Sequence, residues 1–143
     1  MCLDYGSGRN IKKGFLSSDF TGSSIYDFYI KDYIVLEAPS NSFDIIHCRN
    51  VIHHIPEEDL IKVFSEFDRL LKKEGKLIIP EPLEKFHTEN LILDIIWYRF
   101  LVQDFSIKLP NKKYVDFKKY LTNFRLECLE NEYNNEILTY VKK

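Results

Sequence analysis

Residues 43–80 read FDIIHCRNVIHHIPEEDLIKVFSEFDRLLKKEGKLIIP and contain the elements that decide the fold. The run at 43–48 is rich in apolar residues, which is typical of a strand buried on both faces of a parallel sheet. The segment after it has apolar residues at helical spacing, namely Leu60, Phe64, Phe67 and Leu71. A second strand is predicted at 76–79. Because two parallel strands need a crossover between them, this order predicts an α/β fold.

The helix in this segment has its own start and stop signals. Pro56 suits the first helical turn, and the three acidic residues after it complement the positive end of the helix dipole. The lysines at 72–73 are expected in the last turn, and Gly75 is placed to cap the helix. The prolines at 80 and 82 are expected to end the strand that follows.

Three shorter strands are predicted before this unit, at 3–5, 15–16 and 25–30. An acidic residue lies at or just after the end of each: Asp4, Asp19 and Asp32. In an open α/β sheet these positions face the ligand crevice, and a carboxylate there can accept two ribose hydroxyls. The sequence therefore predicts a nucleoside-like ligand. The alternative is that each aspartate only caps a turn.

The C-terminal part is expected to add helices and a hairpin. A helix is predicted at 88–102, and a second one at 117–124 with Asp116 as its N-cap. The segments 125–133 and 136–141 alternate apolar and polar residues around two asparagines, which predicts an antiparallel hairpin. The sequence thus predicts an α/β fold with a mostly parallel sheet and an antiparallel C-terminal hairpin strand.

Composition narrows the class of protein. The 143 residues suit one domain, and 20 basic against 22 acidic residues give a net charge of −2, which makes nucleic acid an unlikely partner. The three cysteines, Cys2, Cys48 and Cys128, are widely spaced, which indicates reduced thiols and a cytoplasmic location. No signal peptide, membrane span or metal-ligand spacing is recognised.

The spacing of the glycines disfavours two kinds of nucleotide site, a dinucleotide site and a phosphate loop. A dinucleotide fingerprint needs a third glycine where Ile11 stands, and its acidic residue about 20 positions further on. Asp19 follows Gly8 by only 11 residues. The chain also has no Gly-Lys-Ser or Gly-Lys-Thr for a phosphate loop. NAD binding and ATP hydrolysis are therefore disfavoured.

Four segments resemble, in order, the motifs of class I S-adenosylmethionine-dependent methyltransferases of the type 11 kind. LDYGSG at 3–8 is similar to the first motif, and SFDII at 42–46 to the fourth strand. NVIHHI at 50–55 looks like the loop after that strand, and RLLKKEGKLII at 69–79 like the approach to the fifth. Four ordered signatures are far more specific than one glycine pair.

The resemblance implies a three-layer, Rossmann-like α/β sheet, mostly parallel with an antiparallel C-terminal hairpin strand. It also implies S-adenosyl-L-methionine as cofactor and a set of residues around it. The loop beneath its methionyl and ribose parts would be formed by Asp4, Tyr5, Gly6, Ser7 and Gly8. Asp19 would accept the ribose hydroxyls, and Asn50 would lie near the methionyl end. Asp32 with Tyr33 would border the adenine.

His53 and His54 are the candidates for a general base, because imidazole titrates near neutral pH and their loop lies beside the transferred methyl group in relatives. The alternative is that either histidine packs or caps the helix that follows. His47, within a buried strand, is expected to be structural. The methyl acceptor is unidentified, with a small molecule favoured over a protein.

The chain is read as a single domain, 1–143, that lacks an N-terminal cap and has a shortened first crossover between Gly8 and Asp19. The acceptor site would then be open or completed by a partner, including a second copy of the chain. Two other functions stay open. One is a non-catalytic, methyltransferase-like subunit or binding protein, and the other is a nucleic-acid methyltransferase.

Overall fold

A computed structural model describes residues 1–21, 23–32, 34–82, 93, 96, 116–132 and 135–143 of the chain. Leu93 and Ile96 are helical. The rest of the helix predicted at 88–102, and the cofactor candidate Tyr33, lie outside the described residues. Two asparagines are predicted in the hairpin turn. Asn134 lies outside the described residues, and Asn135 is described.

Eight strands of the described residues form one sheet. They are β1 (Cys2–Tyr5), β2 (Leu16–Asp19), β3 (Phe28–Lys31), β4 (Val35–Leu36), β5 (Phe43–His47), β6 (Leu71–Pro82), β7 (Phe124–Glu132) and β8 (Asn135–Lys142). Their spatial order is β4-β3-β2-β1-β5-β6-β8-β7. Strands β3, β2, β1, β5 and β6 are parallel, while β8 and β7 form an antiparallel hairpin beside β6. The predicted Rossmann-like α/β sheet and its C-terminal hairpin are confirmed. Strand β4, antiparallel to β3 at the other edge, was not predicted.

Helix α1 (Glu57–Leu70) connects β5 to β6 and covers one face of the sheet. Its buried apolar residues recur at helical spacing, as the sequence predicts, and three acidic residues occupy its first turn. Phe67 packs edge-on against Tyr5 of β1, with ring centroids 4.8 Å apart. Phe64 stacks on Phe117 of a short 3-10 helix, Phe117–Tyr120. No helix of the described residues is long and apolar enough to cross a membrane.

The end of α1 differs from the sequence prediction. The helix stops at Leu70, and Leu71 begins β6 opposite Phe43, so the lysines at 72–73 lie in a strand and not in the last helical turn. Leu71 is fully buried in this pairing, which favours strand over another helical residue. The prediction that Gly75 caps the helix is therefore wrong. Gly75 instead lies where an added Cβ would come within 2.8 Å of the Lys72 carbonyl oxygen.

Other boundaries were also misplaced. Strand β6 continues through Pro80 and Pro82, which face Ile137 and Asn135 of β8, so the first proline does not end it. The helix predicted at 117–124 is a single 3-10 turn, although Asp116 caps it as expected by accepting a hydrogen bond from the Lys118 N–H.

The strand predicted at 25–30 begins later, at Phe28. The residues before it turn back toward β2, because the Asp27 carboxylate accepts hydrogen bonds from both the backbone N–H and the hydroxyl of Ser17. In return, the Asp27 N–H donates to the Ser17 hydroxyl oxygen. This reciprocal pair shortens β3 at its start.

A buried carboxylate attaches the β4 edge to the helix. Glu66 on α1 accepts a hydrogen bond from the Leu36 N–H at 2.9 Å and forms an ion pair with Arg69. Arg69 in turn donates to the carbonyl oxygens of Leu36 and Ala38. Burial acts to raise the pKa of Glu66, but the Arg69 guanidinium and the Leu36 N–H outweigh it and the pKa is lowered.

Truncation of the helix core should be costly. Replacing Phe67 with Ala removes a fully buried ring that contacts Tyr5 and Phe64, so we expect a loss of about 3–5 kcal/mol in the free energy of unfolding. Urea unfolding followed by circular dichroism measures it. Ile61→Ala on the exposed side of the same helix is the control and should change stability by less than about 0.5 kcal/mol. Equal effects of the two substitutions would contradict this packing.

Candidate functional site

The carboxyl ends of the parallel strands meet at one edge of the sheet, and the backbone there is unusual. Gly6 and Gly8 follow β1, Asp32 follows β3, and Asn50 lies after β5, all with φ between +51° and +70°. Residues other than glycine seldom adopt this left-handed conformation, and such residues cluster at binding and catalytic sites. The structure thus brings the loops that the sequence singled out to a single edge.

The glycine loop at 6–8 is bound tightly to β2. The Ser7 N–H donates to the Ser18 carbonyl oxygen at 2.8 Å, and the Ser18 N–H donates to the Ser7 hydroxyl oxygen at 3.2 Å. Both serine hydroxyls donate to the carbonyl oxygen of Asp4. Ser18 is fully buried, and sequence reasoning missed it. The sequence carries little signal for it, because β2 reads Leu-Ser-Ser-Asp and Ser18 is one of three polar residues in the strand.

The two glycines of the loop have different surroundings. An added Cβ on Gly6 would lie 2.6 Å from a methyl group of Val51, so Gly6 allows β1 and the loop after β5 to approach each other. An added Cβ on Gly8 would meet nothing within 4 Å. Gly8 therefore faces open space at the site, where a ligand can approach the backbone closely.

Asp19, at the end of β2, is buried and fixes this loop. One carboxylate oxygen accepts the Gly8 N–H at 2.9 Å, and the other accepts the Thr21 N–H at 3.0 Å. The hydroxyl of Tyr26 donates to the Gly8 carbonyl oxygen, also at 2.9 Å. Because each carboxylate oxygen has two lone pairs, Asp19 keeps the capacity to accept two ligand hydroxyls.

Asp4 has a different environment from Asp19. One of its carboxylate oxygens lies 2.8 Å from Nδ1 of His47, and the other accepts the Lys12 N–H at 3.0 Å. Asp4 and His47 are buried as neighbours on β1 and β5. Asp4 therefore anchors the segment after the glycine loop, and His47 is the structural histidine that the sequence predicts.

The side chain of Tyr5 points away from the glycine loop. Its ring packs against Phe67 of α1, and its hydroxyl donates to the Ile34 carbonyl oxygen at 3.1 Å. Burial, followed by the negative charge of Glu66 and the Cys48 thiol, raises the pKa of Tyr5 well above its usual value. Only the backbone of Tyr5 belongs to the site edge.

The loop after β5 is held by Glu81, a residue that sequence reasoning missed. One oxygen of this buried carboxylate accepts the N–H groups of Val51 and Ile52 at 2.8 and 2.9 Å. The other oxygen lies 2.6 Å from Nδ1 of His53. The Asn50 N–H donates to the Pro80 carbonyl oxygen at 2.9 Å. The end of β6 therefore determines where residues 50–53 lie.

The two candidate histidines are adjacent but not equivalent. His53 is buried and bound to Glu81, whereas His54 is only half-buried. Their rings lie 4.0 Å apart between centroids. Cys48, just before this loop, is fully buried, and burial and the nearby charges of Glu81 and Asp4 raise the pKa of its thiol well above the usual value.

Asp32 is exposed at the end of β3, on the same sheet edge as Asp19.

Among the residues that the structure describes, no group of three histidine, cysteine, aspartate or glutamate side chains could hold a metal ion. The site is thus defined by backbone loops, two buried aspartates and Glu81.

A Rossmann-like sheet with a glycine loop after β1 and an acidic residue ending β2 defines a class of nucleoside-binding proteins. Residues 7–79 match the methyltransferase domain family, which is just over half of the chain. The chain belongs to this family, as its sequence motifs indicated.

Individual relatives agree with that family. The "Probable methyltransferase ltbC" of Aspergillus luteorubrus is 33% identical over 64 residues, which are 43% of this chain and 22% of that protein. The chain thus spans about a fifth of the length of this curated relative. The PH0226 protein of Pyrococcus horikoshii is 18% identical with a TM-score of 0.69, over 99% of this chain and 81% of that one.

A second solved structure, an S-adenosylmethionine-dependent methyltransferase from Mesorhizobium loti, has a TM-score of 0.67 at 11% identity. The matched region covers 99% of this chain and 90% of that one. At this level of identity the similarity establishes a shared fold.

The two glycines of the loop should respond differently to alanine. Gly6→Ala adds a clash with Val51 to the left-handed strain, so it should destabilise the protein by about 1–3 kcal/mol more than Gly8→Ala does. Gly14→Ala is the control, because Gly14 also has a positive φ and open space around it. Thermal unfolding of the three variants measures the difference. A Gly6→Ala protein as stable as Gly14→Ala would show that Val51 does not constrain the loop.

Proposed function

We propose that this protein binds S-adenosyl-L-methionine at the carboxyl edge of its sheet and transfers the methyl group to a small-molecule acceptor. One observation carries the proposal: buried Asp19 binds the Gly8 N–H, and Gly8 faces open space in a left-handed conformation. This arrangement combines a fixed anionic acceptor for a ribose diol with a backbone that a ligand can approach.

The residues at the edge fit the parts of the cofactor. Asp19 would take the ribose hydroxyls, with the glycine loop formed by Asp4 to Gly8 beneath the ribose and methionyl parts. Asp32, exposed on the neighbouring strand end, would border the adenine together with Tyr33. Asn50 would lie toward the methionyl end, on a loop that Glu81 and Pro80 hold in place.

The cofactor supplies a methyl group on a positively charged sulfur, which an acceptor displaces in line. The protein contributes position and the exclusion of water, because holding two reactants in line accounts for much of the rate enhancement of such a reaction. The fixed loops at 6–8 and 50–53 would serve that purpose. Their backbone geometry is set by hydrogen bonds to buried side chains that need not move when a ligand binds.

A histidine of this loop would accept the proton of an acceptor that carries one. His53 is better suited to hold the loop, because Glu81 binds its Nδ1. His54 is less buried, and we assign it the role of proton acceptor. The net charge of −2 provides little attraction for a polyanion, which supports a small molecule over nucleic acid as the acceptor.

Three free cysteines and no disulfide among the described residues fit a reducing compartment, and we place the protein in the cytoplasm.

Loss of the Asp19 carboxylate should weaken cofactor binding. For Asp19→Ala we expect the dissociation constant of S-adenosylhomocysteine, the demethylated product, to rise more than about tenfold, because charge-assisted hydrogen bonds to the ribose are lost. Isothermal titration calorimetry of the wild type and the variant measures it. Asp68→Ala, in the last turn of helix α1 and so at the opposite edge of the sheet, is the control and should bind as the wild type does. If the wild type binds no ligand at millimolar concentration, the proposed function is wrong. If Asp19→Ala binds normally, its assignment to the ribose is wrong.

The side chain of Asn50 can be tested without straining the backbone. Asn50 and Asn41 both have a positive φ, of 54° and 55°, so Gly at either position relieves left-handed strain and should preserve stability. Only Asn50→Gly should raise the dissociation constant of S-adenosylhomocysteine, by about threefold or more, through loss of one net hydrogen bond. Asn41→Gly is the matched control. Equal affinity of both variants would remove Asn50 from the cofactor site.

A further inference from the structure

Strand β7, Phe124–Glu132, forms the edge of the sheet beyond β8. None of the strands that the structure describes pairs with its outer side. At nine residues it is long for an edge, and most of its residues are exposed on both faces. An edge of this kind presents unpaired N–H and C=O groups to another strand, and it contains neither proline nor lysine to discourage pairing.

Two rows of apolar residues cross the sheet on the α1 face and end on this strand. The first row runs through Leu77 of β6 and Tyr140 of β8 to Leu126, and the second through Leu138 to Leu129. The inner members of both rows are buried. Leu126 and Leu129, the outermost members, are 48% and 47% exposed. The apolar layer therefore ends at β7, where an added strand could continue it.

The opposite face of β7 carries two charges of opposite sign, of which the Glu130 carboxylate accepts a hydrogen bond from the Cys128 thiol at 3.4 Å. Arg125 lies opposite Val141 and Glu130 opposite Ile137, which puts both on the same face of the sheet. Both are exposed, and neither forms an ion pair within the described chain. Glu127 lies between them at a register irregularity. It forms an ion pair with Lys76 of the same chain, so we do not assign it a partner in a second copy.

These positions are complementary to themselves. When two copies of β7 run antiparallel with Arg125 opposite the partner's Glu130, Leu126 falls opposite the partner's Leu129. The two-fold symmetry of such a pair makes each contact twice. Leucines meet on the apolar face and opposite charges on the other. Each cross-strand pair of these kinds stabilises an antiparallel ladder.

Neighbouring registers lack this match. A slip of one residue centres the pair on Cys128 and places Leu126 opposite Glu130, so both the apolar and the ionic pairs are lost.

We propose that β7 is the interface of a homodimer, in which two copies of this chain pair their edge strands in the register that joins Arg125 to Glu130. The two sheets then form one continuous sheet, by strand addition. This interface is independent of methyl transfer.

Charge reversal tests both the partner and the register. In sedimentation velocity over a concentration series, the wild type should form dimers. Arg125→Glu and Glu130→Arg should each raise the dimer dissociation constant at least about tenfold, because each places like charges opposite each other twice. An equimolar mixture of the two variants should dimerise again, since every mixed pair then joins opposite charges.

Glu132→Arg is the matched control for Glu130→Arg, because it makes the same change in net charge and lies outside the paired positions. It should dimerise as the wild type does. Circular dichroism melts of all variants check that these exposed substitutions leave the fold intact. A wild type that stays monomeric over the whole series would overturn the proposal. So would dimers that resist both charge reversals, or variants whose mixture stays monomeric.

Discussion

Buried carboxylates that bind backbone N–H groups hold the site of this protein together. Asp4, Asp19 and Glu81 are each nearly inaccessible to water, and each accepts at least one N–H from a loop at the carboxyl edge of the sheet. A buried carboxylate without such donors would be costly, so the loops must adopt the conformations that supply them. The interior of the sheet therefore dictates the shape of its binding edge.

The same principle explains how a short first crossover can work. Only ten residues separate Gly8 from Asp19, too few for a long helix and a strand. The segment is instead fixed by the hydrogen bond from the Lys12 N–H to Asp4, and by the hydrogen bonds that join the glycine loop to Ser18 and Asp19. Loops fixed in this way need little rearrangement when a ligand binds, which lowers the free-energy cost of binding.

Sequence patterns predicted the mostly parallel sheet with its C-terminal hairpin, the central helix and the glycine loop, because these depend on local periodicity and on turn residues. They missed Ser18, Tyr26 and Glu81, whose roles depend on partners 11 to 30 residues away in the chain. The end of α1 was misplaced for a similar reason. Pairing of Leu71 with Phe43 outweighs the local helix signal of the lysines and Gly75. Tyr33 and most of the helix predicted at 88–102 lie outside the described residues.

We propose that the fixed edge between Asp19 and the glycine loop is a nucleoside site, and a crystal structure of the protein with S-adenosylhomocysteine would test this. We expect the ribose hydroxyls within hydrogen-bond distance of the Asp19 carboxylate and the ligand against Gly8, with the bond between Asp19 and the Gly8 N–H preserved. A ligand bound elsewhere, or an Asp19 carboxylate turned away from the ribose, would contradict it.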